Sequence, residues 1–567
     1  AAVLLAADNP RFPPLLGTGG NDGRLDFTNN FMQHLVRLFD METGKPTSQT
    51  AEYLEGALFA KAVPGMLSWA IGQFSPGSAG GANQGSGFSG GASVNPWDFV
   101  LMLEGAALFA ATVTRRLETE HGSLSFPFTV RTTGAGFGGT ATKDEGSARA
   151  EMWLPLWSEP TGLDELKALL AEGRVTLGRR PARDGLDFVR AVSHLGVERG
   201  IGEFQRYAFL MRSGKAYLAT PLNRVHVNRN PLGDPVADPE FDSWLNRFRR
   251  LGRSVNATNR LQSLVRRLED AIFNFMLERK YPARRLQRVL ELLGEAQLYL
   301  GRSPKAREVC PPVPLLTEAW LLNAEDDSPD FGVAAALAGL CCRERQPDGT
   351  HLMPMRTHLA PEQSGQRPLW LKEESHQVTW GPGTLDENLL RTLRQRLLDA
   401  ERLQTGEKPL YSGRTAPLAA VADWLAGHRD DSRIGRLLPG LMLVRQQPNV
   451  GERVERTAPL PAAYRLLKPF FCTETQLKRI GLLPPDGTLP IPGELLRLLS
   501  TGEIVSAVAL GERRLRTSGT SIRFPDIRGA FGDSRRLISA LLVPIADFEL
   551  RGLLPRQTPP ENAETAR

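Results

Sequence analysis

Between residues 231 and 242 the chain changes character, and that change limits the folds open to it. The stretch carries three prolines (Pro231, Pro235, Pro239) and three aspartates (Asp234, Asp238, Asp242). Proline neither continues a helix interior nor donates to a sheet ladder, and aspartate favours turns and caps, so the stretch reads as a linker. Before it lie short helices, strand-like runs and glycine-rich loops; after it the texture is almost wholly helical. At 567 residues the chain is too long for a single core, and three or four domains are expected. The expected fold class is α+β: a mixed α/β N-terminal body over residues 1–235, a basic helical domain over 243–345 and a mainly helical region over 346–567.

In the first body, the run Leu16–Phe31 holds four glycines, three asparagines, two aspartates and one arginine, then passes into an apolar helical pattern with Leu35, Leu38 and Phe39. Glycine permits positive φ and close backbone approach. Thr28 or Asn29 suits a helix N-cap. A glycine loop feeding a helix N-terminus can receive a phosphate or a base edge; equally, its Asx side chains can serve only to cap the turn. A second loop, Ser75–Pro96, is dense in Gly, Ser, Asn and Gln, and its Asn95-Pro96 opens a helix running to about Arg116. GxGxxG spacing occurs at Gly85, Gly87 and Gly90 and again at Gly134, Gly136 and Gly139. The first lacks a leading strand and the second a following helix, so a dinucleotide site is not expected. Residues 123–157 alternate as two strands, with Pro155 marking the second as an edge. Arg206–Met211 and Ala216–Leu218 flank Arg212-Ser213-Gly214-Lys215 as a hairpin, which Thr220–Arg224 leaves.

Beyond the linker, Leu261, Leu264, Val265, Leu268, Ile272, Phe273 and Met276 mark one helix face. Between Ser243 and Leu268 stand seven arginines and no acid: Arg247, Arg249, Arg250, Arg253, Arg260, Arg266 and Arg267. Gly511–Arg536 carries a second basic run that includes Arg513, Arg514 and Arg516. A charge run is usually a solvated face, but one without interleaved acids also suits a nucleic-acid backbone. Net charge is +6, and arginine, which outnumbers lysine, suits bidentate phosphate and base contacts.

Four cysteines form no disulfide framework, which fits a reducing cytoplasm. Cys341 and Cys342 are adjacent, the wrong spacing for a zinc knuckle, although His351 and His358 follow. There is no P-loop, no HExxH and no outstanding carboxylate pair, so neither catalysis nor a cofactor is expected. No apolar run reaches 18 residues, so no transmembrane helix is expected.

The loop Leu16–Phe31, together with Ser75–Pro96, the run Arg199–Arg224 and the basic segment around Arg535, resembles the large subunit of the type I-G (formerly I-U) CRISPR effector complex, the Cascade of that subtype. The resemblance implies a cytoplasmic, prokaryotic, non-catalytic scaffold whose partners are the guide CRISPR RNA, the target double-stranded DNA, the backbone and handle-binding subunits, and the helicase-nuclease. It implies contacts at the target-adjacent motif or the RNA handle from Asn21, Asp22, Arg24, Asn29 and Asn30, with Asn83, Gln84, Ser86 and Phe88. Arg131, Arg199, Arg206 and Arg224 become candidates for backbone contact, and the arginine runs would track phosphates. Two alternatives stay open: a phosphate- or nucleotide-handling enzyme using the glycine loops, and an assembly subunit without DNA contact.

Overall fold

A computed structural model describes residues 27–64, 66–69, 92–111, 114–115, 124–125, 127–131, 150–157, 159–172, 175–177, 180–195, 201–212, 216–227, 229–277, 280–345, 351–373, 375–449, 458–518, 520 and 533–553. The chain is α+β and divides into two compact units, Ala1–Ala237 and Asp238–Arg567.

In the first unit, α1 (Phe27–Leu38), α2 (Thr50–Phe59) and α3 (Pro96–Ala111) share a small core of Leu38, Tyr53 and Val100, backed by Phe31, Leu35 and Trp97. Asn95 caps α3, its Oδ1 accepting from the Trp97 amide at 3.0 Å while its Nδ2 donates to the Tyr53 carbonyl at 2.7 Å. The remainder centres on an antiparallel sheet of β1 (Thr129–Val130), β2 (Glu151–Trp157), β3 (Ile201–Arg212) and β4 (Ala216–His226), in the order β4-β3-β2-β1. One face is covered by α5 (Gly185–Leu195), which follows α4 (Leu163–Glu172). There Trp153 stacks on Phe188 at 4.2 Å, and Phe204 meets Phe188 edge-on at 5.2 Å.

Pro155 does not put β2 at the edge of the sheet. It pairs with Phe204 of β3, while β1 reaches only Glu151 and Met152, so its missing N–H falls where β1 has already ended. Nor does the hairpin end at Thr220: β4 runs on to His226, and a bulge between Pro221 and Arg224 absorbs the proline.

The expected linker is packed structure. Pro231–Ala237 forms a 3-10 helix with Val236 buried, and the Val236 carbonyl accepts from Arg190 at 2.5 Å. Asp238 then caps α6 (Pro239–Gly252), accepting from the Glu240 and Phe241 amides at 2.9 and 3.1 Å, with Pro239 at the first helical position.

The second unit is helical. α6 and α7 (Asn259–Leu277) form a hairpin, and α8 (Pro282–Arg302) has Leu286, Val289, Leu290, Leu293 and Ala296 fully enclosed. α9 (Pro329–Ala338), α10 (Leu385–Leu403), α11 (Asp431–Leu441), α12 (Ile504–Thr517) and α13 (Ser534–Leu542) follow among other short helices. α11 packs on both α8 and α9. Residues on either side of 345 therefore share one unit, where the sequence suggested a boundary. The α8–α11 crossing depends on glycine: a Cβ at Gly294 would lie 2.7 Å from the Gly440 amide nitrogen. Arg433 of α11 also pairs with Asp326 at 2.8 Å and with Asp330 of α9 at 3.1 Å, tying α11 to the start of α9.

Candidate nucleic-acid interface

Of the residues singled out from the sequence, Asn21, Asp22, Arg24, Asn83, Gln84, Ser86, Phe88 and Arg199 lie outside the described residues. Thr28, Asn29 and Asn30 fall in the first turn of α1, so neither Thr28 nor Asn29 precedes the helix as its cap. Asn29 is exposed, whereas Asn30 is buried on the stripe it shares with His34 and Leu38. The period of four running back from Leu38 puts it there, facing the core, which removes it as a contact residue. His34 on the same stripe stacks on Phe99, and burial followed by the nearby Arg37 charge lowers its pKa to about 4.

The sheet separates two of the arginines by parity. Phe204, Arg206 and Ala208 point to the α5 side, while Gln205 and its cross-strand partner Arg224 point to the other. Arg206 is fully buried. Its Nε donates to Glu151 Oε1 at 2.8 Å and its Nη1 to Asn223 Oδ1 at 2.7 Å, and its guanidinium lies 4.9 Å from the Trp153 ring centre. It is a core ion pair and not a phosphate contact. Burial pushes the Glu151 carboxyl above its ordinary value, and Arg206 pulls it back. Arg224 is exposed, donating to Gln205 Oε1 at 3.3 Å and lying 3.9 Å from Glu203. Arg131 is also exposed, its backbone N–H held by the Arg183 carbonyl at 3.0 Å.

The seven-arginine run divides three ways. Arg249 is buried, and its Nε meets Glu269 Oε1 at 2.5 Å; it ties α6 to α7 and is unavailable to a ligand. Arg253, half-exposed, shares that oxygen at 2.6 Å. Arg267 pairs across to Glu295 of α8 at 2.7 Å, and Arg266 is part-buried and engaged. Arg247, Arg250 and Arg260 are exposed and make no ion pair among the described residues. The buried face of α6 (Phe241, Trp244, Leu245, Phe248) predicts this division, because Arg249 falls beside Phe248 and Arg247 and Arg250 fall opposite. Only the fold reveals Glu269 as the partner.

The second run is more neutralised. Arg513 and Arg514 are exposed on α12, but Arg516 pairs with Glu512 at 2.5 Å, Arg535 lies 3.9 Å from Asp386 and Arg536 lies 3.0 Å from Asp431. These last two pairs line a 610 Å³ cleft with Glu291, Arg436 and Trp380, a mixed and largely self-paired lining.

All four cysteines are buried free thiols, and burial pushes Cys341 up to about 12. His358 is buried, with Nδ1 2.8 Å from the Gln377 carbonyl and Nε2 facing Arg396 at 3.4 Å; burial, then that charge, brings it down to about 3. Among the described residues no group of three or more His, Cys, Asp or Glu side chains could hold a metal ion. No helix among them is long and apolar enough to cross a membrane. No protein-family model matches this chain, and no curated protein matches it.

Proposed function

We propose that this chain is the non-catalytic large subunit of a type I-G CRISPR effector complex. In this reading it lies beside the guide RNA handle with the backbone and handle-binding subunits, recognises the short motif next to the target, helps to open the duplex and docks the helicase-nuclease. The observation that supports DNA binding is the exposure of Arg247, Arg250 and Arg260 on α6 and α7, within a Ser243–Leu268 run that contains no acid to neutralise them. The resemblance of Leu16–Phe31 and Ser75–Pro96 supports the particular complex. Sequence selection in the target would fall to RNA–DNA pairing, with the protein reading only the motif and the backbone.

The test is duplex binding by the reconstituted complex, with and without this chain, on targets with randomised flanks. A flank preference that requires the chain and disappears with Asn21→Ala or Asn83→Ala supports the proposal. Affinity and flank preference independent of the chain would sink it and favour an assembly subunit without DNA contact. Nucleotide turnover by the isolated chain would favour an enzyme instead.

A further inference from the structure

We infer that the closed end of the α6–α7 hairpin is a backbone grip for duplex DNA, formed by Arg247, Arg250 and Arg260 with Arg253 held ready beside them. This rests on the DNA-binding reading above.

The hairpin end is built to be rigid. Gly252 lets the two helices close on each other: a Cβ there would lie 2.5 Å from Val265 Cγ2. The connecting loop is held by its own bonds, Ser254 N–H to the Leu251 carbonyl at 3.3 Å and Ala257 N–H to the Ser254 carbonyl at 3.0 Å. Thr258 Oγ1 lies 3.1 Å from the Tyr299 hydroxyl of α8, which fastens the loop to the body. Glu269 is spent internally, holding Arg249 and Arg253 together and leaving about half of the Arg253 side chain exposed. Outside that clamp the end of the hairpin carries no acid, and Val255 at its tip is fully exposed.

The free protein gains nothing from this arrangement. Arg247 and Arg250 are one turn apart on the same side of α6, where like charges repel. Arg260 stands in the first turn of α7, where the helix dipole disfavours a cation. A polyanion reverses both penalties. Exposed guanidiniums on rigid helices fit phosphate contacts, which fix position on the duplex; Asn256 in the connecting loop and Asn259 at the start of α7 are exposed beside them.

The experiment titrates full-length wild type, the Arg247→Gln/Arg250→Gln/Arg260→Gln variant and the corresponding triple lysine variant against random-sequence duplexes between 50 and 200 mM salt. Circular dichroism melts establish that each variant is folded. Three lost phosphate contacts should flatten the log–log salt slope by about 2.7 units, so that the wild-type advantage is about 40-fold larger at 50 mM than at 200 mM salt. The lysine variant should keep most of the slope. An unchanged slope in the glutamine variant, with DNA still bound, would overturn the hairpin grip and leave the large-subunit reading standing. No DNA binding by the wild type would overturn both. Loss of binding to phosphatidylserine vesicles, with DNA binding untouched, would overturn the grip in favour of an anionic membrane surface.

Discussion

Replacing Arg206 with methionine should damage the N-terminal sheet and leave any direct DNA contact unaffected. Arg206 and Glu151 are both fully buried, joined at 2.8 Å, and Arg206 also satisfies Asn223 and covers Trp153. Removing the cation strands a carboxylate with no solvent, a change that costs about 3–5 kcal/mol in buried pairs. The assay is hydrogen exchange of the β3 amides in the full-length protein, which reads the sheet without requiring both units to unfold together. Glu151→Met/Arg206→Met should recover most of the loss, because an apolar pair leaves no uncompensated charge. The single variant should also carry a pH signature. A lone buried Glu151 has a folded pKa above its unfolded value, so the folded state binds the extra proton. Its penalty is then largest at pH 7.5 and shrinks as pH falls toward 5. A packing defect alone would show no such recovery. If Arg206→Met leaves β3 protection within about 0.5 kcal/mol of wild type and instead weakens DNA binding, the assignment of Arg206 to the core is wrong.

Two further outcomes follow from the helical unit. Gly440→Ala should cost about 3 kcal/mol or more, because the added methyl meets the Leu290 carbonyl where α8 and α11 cross and the backbones must part; a loss below about 1 kcal/mol in urea unfolding would count against that crossing. His358 should make the protein acid-sensitive. Its folded pKa of about 3 lies below the ordinary 6.5, so the unfolded state binds the proton first and stability falls as pH drops below 6.5. From pH 7.5 to 5 this group alone accounts for about 2 kcal/mol, and His358→Gln should remove that part of the decline; an unchanged pH dependence in the variant would refute the assignment.

Much of the local structure was legible because it depends on neighbours in sequence. The Asn95-Pro96 helix start, the apolar stripe of α7 and the strands flanking Ser213 follow from caps and periodicity alone. Reading went astray where a residue's meaning depends on a distant partner. Pro155 looked like an edge marker, yet the length of β1 lets it lie inside the sheet. The Pro/Asp stretch does hold the division between the two units, but Arg190 and Asp238 make it a 3-10 helix and a helix cap in place of an open linker. α11, with Pro439 inside it, gave no usable helical signal, although it packs on both α8 and α9.

The arginines show the same division most sharply. Composition and spacing determined that the Ser243–Leu268 run is basic, acid-free and helical, and that the chain is α+β. They could not determine which cations face outward. Strand parity sends Arg206 into the core and Arg224 out of it, and Glu269, remote in sequence, withdraws Arg249 from the surface. A charge is a property of a residue, but its availability is a property of the fold, because only packing decides whether water or a carboxylate surrounds it.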